Sequence, residues 1–271
     1  MDNRPIGIFD SGVGGLTALK ALRDLLPGED TIYFGDSGRM PYGGRPREEL
    51  LKIAEQDAEF LGRQNVKAIL AACGTTDSNA LPHLQAIFDI PVFGVIAPAA
   101  AAAAAATRSG SIGVISTEAT ARSGAYSRAL LAIDPSLRVI TRGCPLIAPI
   151  SEAGHTDKDD PELRSALAEY LADIADEKMD TLLLGCTHYP LVSDAISDFV
   201  GGAVTLIDCG AEGASALARY LFTNDMLSGD SRGGRATYYT SGNEKAFASV
   251  AGIFLGGSIA DSVRGIAPFK L

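Results

Sequence analysis

The chain has 271 residues, of which 46% are hydrophobic and 21% charged, and its formal net charge is −10. This length allows a substantial core, and the composition is that of a soluble globular protein. The acidic balance excludes nucleic acid as the main partner, because phosphate binding needs a basic surface. An anionic small molecule stays compatible with it, since backbone N–H groups can bind a carboxylate within an acidic protein.

Short apolar runs typical of strands alternate with longer helical patterns along the chain. The predicted strands are 6–9, 31–34, 68–72, 92–96, 112–115, 138–141, 181–185, 204–207 and 237–240. The predicted helices are 16–26, 47–61, 119–131, 161–177, 211–221 and 244–255, and the alanine run after Pro98 predicts one more. This alternation predicts an α/β fold of parallel sheets flanked by helices.

Targeting and metal signals are not found in the sequence. No stretch has the length and apolarity of a membrane span, and the N-terminus leads into a strand-like run without an apolar signal core. We therefore expect no membrane contact and a cytoplasmic location. The four cysteines show no Cys-x-x-Cys pairing, and the three histidines lack ligand spacing. We expect free thiols and no metal.

Two parts of the sequence repeat each other. Cys73 ends the run Lys-Ala-Ile-Leu-Ala-Ala-Cys, and Cys186 ends Asp-Thr-Leu-Leu-Leu-Gly-Cys. Pro-Ile-Gly-Ile-Phe-Asp-Ser from Pro5 likewise resembles Ser-Ile-Gly-Val-Ile-Ser-Thr from Ser111, at nearly the same separation. We predict two pseudo-symmetric domains, the first of residues 1–96 plus 205–271 and the second of residues 97–204.

The repeated cysteines are the strongest candidates for chemistry. Ligands of open α/β sheets bind beyond the carboxyl ends of the strands, so Cys73 and Cys186 are predicted to face one cleft between the domains. Both are predicted to precede a helix, whose N-terminus lowers a thiol pKa. Two opposed thiols can remove a proton from one face of a carbon and return it to the other. Alternatively, each is a small buried core residue, which is the interpretation kept for Cys144 and Cys209.

Acidic and basic candidates lie beside the cysteines in the sequence pattern. The segment Asp10-Ser11-Gly-Val-Gly-Gly follows the first predicted strand and opens a helix, so its N–H groups can cradle an anion while Asp10 reaches the cleft. Helix capping is the alternative role. The segment lacks the G-x-G-x-x-G spacing of a dinucleotide site. His188, two residues after Cys186, is predicted to exchange a proton near it.

Several motifs together resemble one known family over essentially the whole length. They are Ile-Phe-Asp10-Ser-Gly-Val-Gly-Gly-Leu, Tyr33-Phe-Gly-Asp36 leading into Pro41-Tyr-Gly, Ser116-Thr-Glu-Ala-Thr120, Cys144-Pro-Leu followed by Glu152, and Gly185-Cys-Thr-His-Tyr-Pro190. The chain resembles the glutamate racemases of the aspartate/glutamate racemase superfamily. That resemblance implies a cofactor-independent enzyme that interconverts L- and D-glutamate and supplies D-glutamate for peptidoglycan synthesis.

The resemblance also implies roles for individual residues. Cys73 and Cys186 would be the proton carriers, with Asp10, Glu152 and His188 as supporting acid/base groups. The substrate site would be lined by Asp10, Ser11, Tyr42, Gly43, Gly74, Thr75, Thr187 and His188. The sequence departs from the family pattern at Gly74, where the family usually has Asn, and at Thr76-Asp77, which replaces Ala-Ser.

Three alternatives stay open at this stage. The change at Gly74 allows a racemase of another amino acid, with aspartate first. Single-cysteine decarboxylase or hydrolase chemistry would make one thiol dispensable, and an inactive ligand-binding or inhibitory protein on the same fold would need neither. We expect a small-molecule amino-acid substrate and no cofactor, and a homodimer is an open alternative.

Overall fold

The computed structural model describes residues 1–175, 178–230 and 233–267. Its strands are β1 Ile6–Asp10, β2 Thr31–Gly35, β3 Ala68–Ala71, β4 Val92–Phe93, β5 Ser111–Ser116, β6 Arg138–Gly143, β7 Thr181–Leu184, β8 Thr205–Asp208, β9 Ala236–Thr240 and β10 Val263–Gly265. Its helices are α1 Leu16–Leu25, α2 Arg47–Arg63, α3 Gly74–Ile87, α4 Ile96–Ala106, α5 Glu118–Ser123, α6 Ala125–Ile133, α7 Ile147–Glu152, α8 Pro161–Ala175, α9 Ser193–Val200, α10 Cys209–Thr223 and α11 Glu244–Leu255. Short 3-10 helices span Ser37–Arg39, Tyr189–Val192 and Ala260–Ser262.

The strands form two parallel sheets, which confirms the predicted fold class. One sheet has the order β10-β9-β2-β1-β3-β4, and the other has the order β6-β5-β7-β8. If β1 to β4 are matched with β5 to β8, both sheets run in the order second, first, third, fourth. The repeat seen in the sequence therefore corresponds to a repeat in topology, and β3 and β7 occupy equivalent places.

The strand β8 lies in the second sheet. It pairs with β7, Thr181 opposite Thr205, whereas the sequence analysis placed residues 205–208 with the first domain. The C-terminal strands β9 and β10 return to the first sheet, where β9 pairs with β2. We therefore propose that the second domain extends to residue 208, and the division of the chain into two domains stays a prediction.

The predicted strand 92–96 is wrong beyond Phe93, because the chain enters α4 at Ile96. Buried Asp77 of α3 explains the turn: one of its carboxylate oxygens accepts the N–H groups of Val95 at 2.6 Å and Ile96 at 2.8 Å. These are the first donors of α4, which have no partner within the helix. Asp77 thus joins the helix that follows Cys73 to the helix that leads into the second sheet.

Other boundaries also differ from the sequence prediction. The predicted helix 119–131 is two helices, because Gly124 has a φ of 64° and separates α5 from α6. The helix predicted after Cys73 is α3, but its polar first turn and internal Pro82 obscure the helical pattern, and the sequence analysis gave it no bounds; α7 and α9 were missed. The end of the predicted helix 161–177 lies outside the described residues.

A hydrophobic core connects the two sheets. One cluster contains Leu19 of α1, Ala99 and Ala103 of α4, Val114 of β5 and Leu217 of α10. The small side chains of α4 allow the neighbouring helices α6 and α10 to approach closely. Within the described ranges, none of the helices is both long and apolar enough to cross a lipid bilayer.

Candidate active site

A cavity of about 400 Å³ lies between the carboxyl ends of the central strands of both sheets. It is lined by every residue that the sequence analysis selected: Asp10, Ser11, Tyr42, Gly43, Cys73, Gly74, Thr75, Glu152, Cys186, Thr187 and His188. Asp10 is the last residue of β1, Cys73 follows β3, and Cys186 follows β7. Cys144 and Cys209 are fully buried in the core. The topology thus brings the two repeated cysteines, one from each sheet, to the same cavity.

Cys73 is surrounded by anionic and hydroxyl groups. It directly precedes α3, and its Sγ lies 3.7 Å from the Ser11 Oγ. Burial, followed by the nearby Asp10 carboxylate, raises the pKa of the Cys73 thiol to about 11. The lowered pKa expected from the helix N-terminus is therefore wrong for this thiol, because desolvation and Asp10 outweigh the helix. Cys73 is a thiol at neutral pH.

The glycine-rich segment after β1 serves Asp10 itself. The Gly12 N–H donates to Asp10 Oδ2 at 2.9 Å, so this donor is not free to cradle a separate anion as the sequence suggested. Gly14 has a different function, since a Cβ there would overlap the His188 ring. The side-chain hydroxyl of Thr17 in α1 donates to the Thr187 carbonyl at 2.8 Å. These contacts hold the Cys186 loop against the first sheet.

Cys186 begins a chain of three polar side chains. Its Sγ lies 3.6 Å from His188 Nδ1, and His188 Nε2 lies 2.8 Å from Glu152 Oε1 at the end of α7. Burial alone lowers the pKa of His188, but Cys186, Glu152 and Asp10 outweigh it and raise that pKa to about 10. The imidazole is therefore cationic at neutral pH. The α-helix predicted directly after Cys186 is not there: a 3-10 helix from Tyr189 precedes α9.

Part of the cavity wall was not predicted as part of the site. The cavity is also lined by residues 117–120 and Arg122, which follow β5, by Pro145, and by Ala148 and Pro149 of α7. Thr117 follows β5 as Ser11 follows β1, so the sequence repeat held the signal that would have identified it. Arg122 adds a cation to the rim, where it pairs with Glu118 at 3.7 Å.

Gly74 lies where the two cysteine segments meet. A Cβ at this position would lie 3.2 Å from the carbonyl oxygen of Gly185 and 3.5 Å from the Thr120 Oγ1. Gly74 is the first residue of α3 and its φ is not positive, so its backbone is open to any residue. In the described part of the chain, no group of three or more His, Cys, Asp or Glu side chains is arranged to hold a metal ion.

Comparisons with known proteins agree with this geometry. The model of the Asp/Glu/Hydantoin racemase family matches residues 20–217. A glutamate racemase of Geobacter metallireducens is 44% identical over 258 residues, 95% of each chain. The crystal structure of a glutamate racemase isoform from Bacillus anthracis superposes with a TM-score of 0.93 at 36% identity, covering 100% of both chains. A Francisella tularensis glutamate racemase crystallised with D-glutamate gives 0.89 at 35% identity, covering 99% of both.

The matches extend over both sheets and include the segments that carry Cys73 and Cys186. The family indicated by these matches is the one that the sequence motifs at the cavity resemble. The chain belongs to the Asp/Glu/hydantoin racemase family, among its glutamate racemases.

Proposed function

We propose that this protein interconverts L- and D-glutamate by moving the α-proton between Cys73 and Cys186. The observation that carries the proposal is the position of the two thiols, at the carboxyl ends of the equivalent strands β3 and β7 and in one cavity. Glutamate as the substrate is supported by the relatives, which are named glutamate racemases and match this chain over almost its whole length. D-glutamate from this reaction supplies peptidoglycan synthesis, the role of the family.

The reaction needs one sulfur charged and the other protonated. In one direction the Cys186 thiolate removes the α-proton: the Cα–H bond breaks, an S–H bond forms, and the electron pair is delocalised into the substrate carboxylate. The Cys73 thiol then donates its proton to the opposite face of the carbon and becomes a thiolate. The sulfurs exchange protonation states through solvent before the next turnover, and the reverse reaction exchanges their roles.

The neighbouring groups support the two sulfurs differently. Cationic His188, held by Glu152, favours negative charge on Cys186, because opposite charges at this distance stabilise each other. Cys73 has no comparable cation among its described neighbours, and we propose that the substrate α-ammonium, attracted by Asp10, supplies one. Of the remaining predicted residues, we propose that Tyr42, whose hydroxyl contacts Asp36 and Asp57, lines the substrate site. The others are proposed to bind the substrate's polar groups: Ser11, Gly43, Gly74, Thr75 and Thr187.

The two thiols and their neighbours are sufficient for this chemistry, so we propose that no cofactor takes part. We also propose a cytoplasmic location, where the free amino acid is available. Whether two copies of the chain associate stays a prediction.

Incorporation of solvent deuterium at the α-carbon tests this function. Protein dialysed against a chelator is incubated in D₂O with the L- and D-forms of several amino acids, and exchange is followed by NMR. We expect both enantiomers of glutamate to exchange and racemise, with the Cys73→Ala/Cys186→Ala double variant as control. Faster exchange of aspartate, or activity that requires a metal after dialysis, contradicts the proposal.

A further inference from the structure

A buried polar cluster lies behind the cavity wall that Tyr42 and Gly43 form. We name it the Tyr42 cluster; it consists of Asp36, Arg39, Tyr42 and Asp57. Asp36 follows β2, Arg39 ends the first 3-10 helix, and Asp57 belongs to α2. The two carboxyl groups are completely buried, and Arg39 and Tyr42 are nearly so. The proposed function involves the cavity wall in front of this cluster and assigns no role to Asp36, Arg39 or Asp57.

The contacts within the cluster are short and specific. Arg39 donates from Nε to Asp36 Oδ2 at 2.6 Å and from Nη2 to Asp57 Oδ1 at 2.5 Å. The Tyr42 hydroxyl lies 2.5 Å from Asp36 Oδ2 and 2.9 Å from Asp57 Oδ2. Ser241 donates its hydroxyl to the other oxygen of Asp36 at 2.6 Å.

The number of protons does not match two ionised carboxylates. The Tyr42 hydroxyl carries a single hydrogen, which the shorter distance assigns to Asp36. Its 2.9 Å contact with Asp57 would then join two oxygens with lone pairs only, which is repulsive. A proton on Asp57 Oδ2 removes the conflict, because that oxygen then donates to the Tyr42 oxygen.

The charges of the cluster lead to the same conclusion. Arg39 offers one positive charge to two buried carboxyl groups, and an uncompensated buried charge is very unfavourable. Gln56, which accepts from Arg39 Nη1 at 2.5 Å, is neutral. Among the described residues, Arg45 donates to the Arg39 carbonyl and pairs with Glu49 closer to the surface. With Asp57 protonated, the Tyr42 cluster is neutral.

We infer that Asp57 is a neutral carboxylic acid that acts as a positioning residue, holding Tyr42 and with it the cavity wall of Pro41 to Gly44. Burial, followed by the charge of Asp36, raises the pKa of Asp57 well above its usual range, which supports the same protonation state. The effect on substrate rests on the proposed function, whereas the protonation state does not.

The experiment compares Asp57→Asn with Asp57→Ala. An Asn side chain can accept from Arg39 and donate to Tyr42, as the protonated acid does, so we expect an unchanged melting temperature and a KM for glutamate within about twofold. Ala cannot hold Tyr42, and we expect KM to rise about tenfold with a smaller change in kcat, because neither cysteine is touched. Tyr42→Phe removes the hydroxyl that contacts Asp57 and should therefore also raise KM.

Infrared spectroscopy reads the protonation state without any activity. The difference spectrum of wild type minus Asp57→Asn at pH 8 should show the carbonyl band of a protonated carboxylic acid. Asp77, whose burial raises its pKa to about 6, is ionised at this pH, so Asp77→Asn is the matched control without such a band.

Two results overturn the inference. A carboxylate band instead of the acid band, together with an Asn variant as unstable as the Ala variant, means that Asp57 is ionised. An unchanged KM in both Asp57→Ala and Tyr42→Phe means that Asp57 does not position the wall. If the protein does not act on glutamate at all, the proposed function fails, while the infrared result still tests the protonation state.

Discussion

The segments of Cys73 and Cys186 follow equivalent strands of two sheets with the same order, yet their surroundings differ. Asp10 and Ser11 lie near Cys73, and burial raises its pKa to about 11. Cys186 instead lies beside a histidine that its neighbours keep cationic, with a pKa of about 10. The repeated fold therefore supplies two thiols, whereas the side chains around each thiol decide where negative charge is stable.

This difference should make the two directions of the racemisation unlike. Because His188 lies beside Cys186 only, we expect a cation of the protein to assist removal of an α-proton that faces Cys186, whereas removal by Cys73 depends on the substrate ammonium. The equilibrium constant of a racemisation is one, so kcat/KM must be the same in both directions. The asymmetry can therefore appear only in kcat, KM, isotope effects or solvent exchange.

Removing either sulfur should have the largest effect. We expect Cys73→Ala and Cys186→Ala each to lower racemisation by roughly 10²- to 10⁴-fold, the range for loss of a general acid or base. Each variant should retain α-hydrogen exchange with one enantiomer only, and the two variants with opposite ones. Circular dichroism follows racemisation, and NMR in D₂O follows exchange.

Cys144→Ala and Cys209→Ala are the matched controls, because both residues are buried cysteines away from the cavity lining. They should lose stability by about 1 kcal/mol and keep most of their activity. Near-normal racemisation by either cavity variant would rule out two-base transfer and favour single-cysteine chemistry.

Removing the His188 cation should affect directly only one of the two sulfurs, that of Cys186. We expect His188→Asn to lower kcat/KM about 100-fold equally in both directions. The primary deuterium isotope effect should increase only in the direction in which Cys186 removes the proton. Glu152→Gln should show the same pattern more weakly, and Ser11→Ala is the control on the Cys73 side. Equal isotope effects in both directions for His188→Asn would show that the two thiols are equivalent.

The same asymmetry should appear in stability against pH. The His188 pKa is raised from 6.5 to about 10 in the folded state, so its contribution is complete below pH 6.5 and is lost as the pH rises to 10. The slope should reach at most about 1.4 kcal/mol per pH unit. The Cys73 pKa is raised from 9.0 to about 11, so stability falls as the pH rises from about 9 to 11 and stays lower above that range.

Denaturant unfolding from pH 6 to 11 separates the two groups. His188→Asn should flatten the profile between about pH 6.5 and 10, and Cys73→Ala only above about pH 9. An unchanged slope in the His188 variant would mean that its imidazole is neutral in the folded protein.

The smallest effect is expected at Gly74, where the two segments touch. Gly74→Ala places a methyl group 3.2 Å from the Gly185 carbonyl, so the segments must move apart slightly, at a cost of about 1 kcal/mol or fivefold in kcat/KM. Aspartate and glutamate should be affected alike. Gly74→Asn adds an amide to the same methyl group, so the ratio of the two variants isolates the amide. A reversal of substrate preference by Gly74→Asn would instead favour the aspartate alternative.

The sequence predicted the parts of the site that depend on local patterns. The apolar runs that end at Cys73 and Cys186 identified the strands, and strand order then brings both residues to one cavity. The pKa of Cys73 could not be predicted, because it depends on desolvation and on Asp10, which is adjacent only through the pairing of β1 with β3. The inferred proton on Asp57 could not be predicted for the same reason, because Asp57 lies near Asp36 only after α2 has packed. The pairing of residues 205–208 with β7 could not be predicted either, because the sequence of a strand does not specify its partner.

The return of β9 to the first sheet has a consequence for biosynthesis. The strands of the second sheet come from one continuous stretch, β5 to β8, and all its pairing partners emerge from the ribosome in succession. The first sheet keeps the edge of β2 unpaired until β9 has been synthesised, some 200 residues after β2. During that interval a hydrophobic parallel sheet has an open edge, the state in which nascent chains pair with one another. The N-terminal half of this protein is thus made first and completed last.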